Sequence, residues 1–326
     1  MEKNRGVLTF AEQHEGTIHP VSYELTGKGR ELADKLGTKL YSVLLTGKET
    51  EAKELIYRGA DEVFYYEDPS FNLPNELVYE KNIVDLIREE KPEIFLVGAT
   101  NFGRSLAPRI AASLDTGLTA DCTGLEIDES GKLEQIRPAF SGNILAHIKS
   151  TKCPQMSTVR YKEFNEPPQD PTRKGRIIKK KTVVTGIDEV RVLEKEREKE
   201  VDITEAKVVV SGGRGLRKRE DFKLLKELAD LLGGVVGSSR PLVDEGWISK
   251  DHQVGYSGNR VKPKVYIACG ISGSSQHQVG MRDSDIIVAI NTDPSAPIFK
   301  ISDYGIVGDI YEVVPMLIDL IRQSRP

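Results

Sequence analysis

The chain has 326 residues, with 46 lysines and arginines against 50 aspartates and glutamates, and a formal net charge of −4. That length suffices for two domains with separate cores, and the slight acidic balance argues against nucleic acid, whose binders usually carry a basic excess. Cys122, Cys153 and Cys269 lie far apart without C-x-x-C spacing, which argues against a disulfide framework, a structural zinc or a cysteine-held iron–sulfur cluster.

The opening "MEKNRGVLTFAEQ" enters a strand pattern without an apolar signal core. No apolar run reaches the ~20 residues that a membrane span needs, so no span and a cytoplasmic location are expected. The first half alternates the apolar runs "GVLTF", "LYSVLLT", "EVFYY" and "EIFLVGA" with the helical patterns "GRELADKLG", "EAKELIYRG" and "LVYEKNIVDLIREEK". Alternation of this kind predicts crossover units and a mostly parallel, Rossmann-like sheet. After the helical "NFGRSLAPRIAASLDTGL", the runs "LTADCTGLEID", "KLEQIRPAF", "NILAHIKS" and "QMSTVRY" read as consecutive strands, an antiparallel extension of the same sheet. "FNEPPQDPTRKGRIIKKK" reads as a solvated loop, because prolines stop regular structure and charges need water.

The charged "VLEKEREKEVDITEAK" sets a domain boundary near residue 200, giving an N-terminal α/β domain over 1–200 and a second over 201–326. The second repeats the alternation: "AKVVVSGG", a helix through "REDFKLLKELADLLGG", then strands "VVGSSR", "KVYIACG", "DIIVAIN" and "IFKIS". The final helix "DIYEVVPMLIDLIRQ" holds Pro315, which predicts a kink or a later start. The fold class is therefore α/β, two layered domains, the second doubly wound.

Ligands of open α/β sheets lie at the carboxyl ends of the strands. The residues after four successive strands of the second half are Ser211-Gly212-Gly213-Arg214-Gly215, Gly237-Ser238-Ser239-Arg240, Gly270 through His277, and Asn291-Thr292-Asp293. Neither G-x-G-x-x-G nor G-x-x-x-x-G-K-[ST] spacing occurs in "VYIACGISGSSQHQVGM". Each glycine loop alone is ordinary turn chemistry, and His277 alone reads as a capping residue. Together the four loops form a row of small residues, hydroxyls and cations suited to an extended anion, a dinucleotide being the simplest. On the residues alone, a nicotinamide or thiamine diphosphate enzyme domain and a cofactor-free interaction module stay open.

The segments "VVSGGRGL", "VGSSRPLVDEGW", "QVGYSGNRVKPKVYIACGISGSSQHQVGM", "IVAINTDPSAPIF" and "DYGIVGDIYEVVP" carry a more specific signal. Over residues 207–322 the chain resembles the FAD-binding domain of the electron transfer flavoprotein alpha subunit. "LVGATNFGRSLAPRIAASLDTGLTADCTGLEI" is similar to that family's N-terminal domain, with less specific motifs. The resemblance implies FAD, with Arg214, Ser239, Asn291, Asp309 and Ile310 around its pyrophosphate, ribose and adenine. It implies that Val254, Gly255, Tyr256 and Ser257 run alongside the isoalloxazine, Ser257 close to N5, and that Arg240 packs over the ring. Ser272, Gly273, Ser274, Ser275 and Gln276 would serve the phosphate-bearing chain, and His277 the flavin C2 carbonyl. Tyr256 departs from the glutamine of many members, which leaves that side chain's role open.

The resemblance further implies an electron carrier without catalytic base or nucleophile. It would form a heterodimer with a beta subunit, which contacts the N-terminal domain and holds AMP or a second FAD. Electrons would come from flavin dehydrogenases such as acyl-CoA dehydrogenase and leave to a quinone reductase or another dehydrogenase. In electron-bifurcating members, which "QVGYSGNRVKP" resembles, NADH and ferredoxin take part. The N-terminus is expected to leave no room for the ferredoxin-like extension of some alpha subunits. For scale, a unit charge about 4 Å from Arg240 interacts by roughly 4 kcal/mol at an effective dielectric near 20. At about 59 mV per 1.4 kcal/mol that is of order 150 mV in favour of reduced, anionic flavin.

Overall fold

A computed structural model describes residues 6–139, 144–183 and 203–324. The chain divides into two compact units, Met1–Glu194 and Lys195–Pro326. The charged boundary segment expected near residue 200 lies largely outside the described residues.

In the first unit, β1 (Val7–Ala11) leads through a small hairpin of β2 (Gln13–His14) and β3 (Thr17–Ile18) into α1 (Pro20–Leu36). Then follow β4 (Leu40–Thr46), α2 (Lys53–Tyr57), β5 (Glu62–Glu67), α3 (Glu76–Glu90), β6 (Ile94–Gly98), α4 (Asn101–Ser113) and β7 (Leu118–Cys122). β8 (Gly124–Ile127), β9 (Leu133–Ala139), β10 (Ile144–Ile148), β11 (Gln155–Val159) and β12 (Arg176–Lys179) complete it. The main sheet runs β12-β5-β4-β1-β6-β11-β7, with every neighbouring pair parallel. Both its faces are covered because side chains alternate along each strand. Val7 and Ala11 pack on the α1 side with Leu25 and Leu32, whereas Leu8 and Phe10 pack on the other with Ile83, Leu106 and Ile110.

Three local expectations change. The four consecutive strands do not extend the main sheet in antiparallel fashion: β8, β9 and β10 form their own antiparallel sheet, while β7 and β11 join the main one in parallel. β7 is bulged around Asp121, whose φ is +62° and whose carboxylate is held by Arg104 (2.9 Å) and Arg160 (2.8 Å), and "LTADCTGLEID" breaks into two strands at Thr123. The proline- and lysine-rich segment ends in β12, which pairs with β5 at the sheet's edge, the position where charged strands are tolerated. Helix α1 begins at Pro20, nine residues before the "GRELADKLG" pattern, with the His19 ring accepting the Val21 N–H as its cap. Its Gly29 is explained by packing: a Cβ there would lie 2.7 Å from Leu40 and 3.0 Å from Thr9.

The second unit contains β13 (Val208–Gly212), α5 (Phe222–Leu231), β14 (Val235–Ser238), α6 (Arg240–Asp244), β15 (Val265–Cys269), α7 (Ser275–Gln278), β16 (Ile286–Asn291), β17 (Tyr304–Val307) and α8 (Ile310–Ser324). Its sheet is wholly parallel, in the order β14-β13-β15-β16-β17. Val209, Tyr266, Ala268 and Ala289 fill one face, and Val210, Cys269 and Ile290 meet Leu225 of α5 and Val314 of α8 on the other. "IFKIS", expected as a strand, is a 3-10 turn over Pro297–Lys300, and β17 supplies the fifth strand instead. Helix α8 runs unbroken through Pro315 from Ile310, so the later start does not occur.

Candidate functional site along one sheet edge

The strand order of the second unit reverses at β13: the chain moves to β14 on one side, then returns to β15 on the other. Loops leaving β13 and β15 in opposite directions open a crevice at their carboxyl ends, the place where such sheets bind ligands. Here the two loops touch backbone to backbone. Gly213 N–H donates to the Cys269 carbonyl and Gly215 N–H to the Gly270 carbonyl, each at 3.0 Å. A Cβ on Gly213 would lie 2.5 Å from the Gly270 oxygen, and one on Gly270, whose φ is +61°, 2.7 Å from Gly215 Cα. These glycines are dictated by close approach and by a left-handed backbone. Arg214 stands exposed between them.

Backbone bonds continue beyond the strand ends and tie the whole edge together. Ser239 N–H donates to Gly212 (2.9 Å), Gly270 N–H to Ile290 (2.8 Å) and Gly308 N–H to Asn291 (3.0 Å). Asn291 Nδ2 donates to the Ile271 carbonyl at 3.0 Å. The Val254–Ser257 segment is bound at both sides: Val254 N–H donates to Ser238 and Tyr256 N–H to Gln276, both at 2.8 Å. Gly255, at φ +147°, sits against Gly280, whose added Cβ would lie 2.3 Å from Gly255 N. The β15 loop is turned by Gly273 (φ +80°), where a Cβ would lie 2.5 Å from Ile298 N, and it leaves Ser272, Ser274, Ser275 and Gln276 exposed.

The structure therefore places Arg214, Ser239, Arg240, Val254–Ser257, Ser272–His277, Asn291, Asp309 and Ile310 along one sheet edge. Their surroundings differ. Arg240 opens α6, is 64% exposed, and bonds Asp244 Oδ2 through Nε at 3.1 Å, so its charge is shared and solvated, and its reach falls below that of an isolated cation. Tyr256 is 64% exposed, and the Ser257 hydroxyl accepts a bond from Gln253 Nε2 at 3.1 Å. Asp309 is committed to α8 and its neighbour: Oδ1 accepts Tyr311 N–H (3.0 Å) and Oδ2 accepts Arg217 Nη2 (2.8 Å). Ile310 is buried in the core.

His277, in the short helix α7, is turned into the core. It is 5% exposed, and Nε2 lies 2.9 Å from the Tyr266 hydroxyl in the core. Nδ1 is also buried and has no hydrogen-bond partner. Burial lowers its pKa to about 4, so the ring is neutral at pH 7.

Sequence reasoning missed the group that braces Arg217. The Arg217 guanidinium lies 4.4 Å over the Tyr311 ring, the Arg217 backbone N–H donates to the Tyr311 hydroxyl at 2.8 Å, and that hydroxyl donates to Asp221. The available signal was Asp309 and Tyr311 opening a helix, which requires partners for the free N–H groups.

The edge fits an extended dianion. Four inter-strand steps at about 4.8 Å give a row about 19 Å long, along which Arg214 and the hydroxyls of Ser257, Ser272, Ser274 and Ser275 are exposed. Comparison with known proteins agrees. A family model described as the electron transfer flavoprotein domain matches residues 7–185, and one described as the electron transfer flavoprotein FAD-binding domain matches residues 202–282. The electron transfer flavoprotein subunit alpha of Thermoanaerobacterium thermosaccharolyticum is 49% identical, with all of both chains covered.

The chain belongs to the electron transfer flavoprotein alpha-subunit family.

The alpha subunit of Megasphaera elsdenii is 48% identical over 98% of this chain and 97% of that one. A protein of Acetobacterium woodii named lactate dehydrogenase (NAD(+),ferredoxin) subunit LctC is 45% identical, over 98% of this chain and 77% of its own length. The cofactor of this alpha-subunit family is FAD, and the crevice edge lies in the FAD-binding domain. The family model of that domain ends at Arg282, so Asn291, Asp309 and Ile310 lie beyond it but within the full-length relatives. Among the described residues, no helix is long and apolar enough to cross a membrane.

Proposed function

We propose that the chain binds FAD along the carboxyl edge of its second sheet and, paired with a beta subunit holding AMP or a second FAD, relays single electrons between flavin dehydrogenases and a quinone reductase or another dehydrogenase. FAD supplies the redox chemistry; the protein supplies position and field. Arg214, exposed at the point where the strand order reverses, is the observation that carries this reading, because it offers a solvent-facing cation in the crevice beside a loop of exposed serines. Ser239, Asn291, Asp309 and Ile310 would flank the nucleotide end, and Ser272–Gln276 the phosphates. Val254–Ser257 and Arg240 would border the isoalloxazine. A cation there favours the negatively charged, reduced ring.

The bifurcating variant of the reading is supported by LctC, whose name pairs NAD(+) with ferredoxin. In that case NADH would react at the beta-subunit flavin. Redox titration of Arg240→Ala in the FAD-loaded heterodimer tests the assigned field. Its midpoint potential should fall by up to about 150 mV, less the share that Asp244 and solvent already remove. An unchanged potential at full FAD content removes Arg240 from the role, and a colourless purified heterodimer removes the FAD reading altogether.

A further inference from the structure

Behind the crevice lies a polar cluster inside an otherwise apolar core. Tyr266 of β15 is fully buried among Val209, Ala268 and Ala289, yet its hydroxyl meets His277 Nε2 at 2.9 Å. The Ser211 hydroxyl, at the end of β13, is buried beside Tyr266 without a full hydrogen-bond partner. On the far side of the imidazole, Nδ1 is buried near the Val254 backbone. Buried polar groups of this kind persist where every one of them has a place in a network, since each isolated one destabilises the fold.

The network has one consistent direction. Burial raises the Tyr266 pKa and lowers that of His277, so the phenol is protonated and the imidazole neutral. A neutral imidazole has one N–H and one lone pair. If Nε2 carried the hydrogen, it would donate to the Tyr266 oxygen, and the buried phenol would lose the acceptor for its own O–H. With the hydrogen on Nδ1, Tyr266 donates to Nε2 and keeps its acceptor, and Nδ1–H lies on the buried side of the ring nearest the Val254 backbone. Ser211 can then donate to the Tyr266 oxygen, so no lone pair opposes another.

We propose that Tyr266 is a positioning residue that fixes His277 as the Nδ1–H tautomer and through it anchors the Val254–Ser257 loop to the sheet. The loop's own bonds agree with an anchor at that point. Tyr256 N–H reaches Gln276 at 2.8 Å, Val261 N–H reaches Gly280 at 2.8 Å, and a Cβ on Gly255 would lie 3.6 Å from His277 Cα. Any consequence for the cofactor rests on the reading that this loop borders the flavin. The tautomer itself does not.

The experiment is nitrogen-15 NMR of the histidine-labelled chain in complex with its beta subunit, with the His277 signals assigned by their loss in His277→Asn. Between pH 6 and pH 8, Nδ1 should be protonated and Nε2 bare. Tyr266→Phe keeps the ring that fills the core and removes the donor, so the proton should redistribute towards Nε2 and FAD should be released about tenfold faster. Ser211→Ala, a milder change, should move both readouts the same way by less, and it serves if Tyr266→Phe fails to fold. A proton on Nε2 in the unaltered chain, or a tautomer indifferent to both substitutions, overturns the proposal whatever the flavin does. A tautomer that behaves as described while FAD release is unchanged overturns the anchoring half. A complex without FAD fails the functional reading, and the tautomer is still read in that same sample.

Discussion

Both units are built on a parallel sheet, and both reverse strand order beside their first strand, yet their carboxyl edges have opposite chemistry. After β1 comes Glu12, 2% exposed, whose Oε2 accepts the Thr100 hydroxyl at 2.6 Å and whose carbonyl accepts the Ser22 hydroxyl at 3.1 Å. After β4, Thr46 and Thr50 bond each other at 2.9 Å, and Asn72 crowds Gly47. That edge is closed by its own side chains and holds an acid where an anion would enter. After β13 come glycines and the exposed Arg214, and the neighbouring loops expose three serines. Architecture supplies a crevice in both cases. Sign of charge and side-chain size decide which one can take a nucleotide.

The sharpest way to break this contrast is to give the second edge the first one's charge. Arg214→Glu replaces an attraction with a repulsion at the phosphates, and FAD affinity of the heterodimer should fall more than about a hundredfold, measured by flavin fluorescence on dilution. Retained FAD would mean that Arg214 is not the anion contact. Gly270→Ala attacks the backbone instead. At this left-handed position an added Cβ would lie 2.7 Å from Gly215 Cα and could not be accommodated without parting the loops. A loss of about 3 kcal/mol in denaturant titration is expected, and an unshifted midpoint would show that the two loops yield freely.

Acid probes the buried histidine. Folded His277 titrates at about 4, below its unfolded value near 6.5, so between those values the unfolded chain binds a proton that the folded chain refuses. Stability should therefore be full above pH 6.5 and decline by up to about 3 kcal/mol as pH falls to 4. His277→Gln should flatten that slope; an equal slope in the variant would place the titrating group elsewhere. The smallest effect belongs to the first edge. Glu12→Gln keeps an acceptor for Thr100, so stability should change by less than about 1 kcal/mol, and FAD retention should stay within twofold of the parent.

Much of this was legible in the residues, for identifiable reasons. Buried parallel strands are continuous apolar runs, so "LYSVLLT" and "DIIVAIN" locate β4 and β16 almost to the residue. The row of strand-end loops follows from the same register. What was not legible depended on distant partners. Helix α1 extends across Gly27 and Gly29, poor helix formers locally, because the sheet packs against Gly29. The strand β12 lies in a lysine-rich run, since an edge strand needs only one neighbour. His277 reads as a helix-start donor in the sequence, and nothing local indicates that Tyr266, eleven positions back, turns it inward.

The route by which β12 reaches its place has a consequence for synthesis. β11 belongs near one side of the seven-stranded sheet, and some sixteen residues later the chain lays its last strand beside β5 at the opposite side. Until residue 179 has left the ribosome, β5 is a bare border with open amides and carbonyls, the kind of margin on which nascent chains adhere to one another. A product that stops short of Arg176 would thus be sticky rather than merely shorter, and the late basic strand acts as the cap that makes the finished unit safe to release.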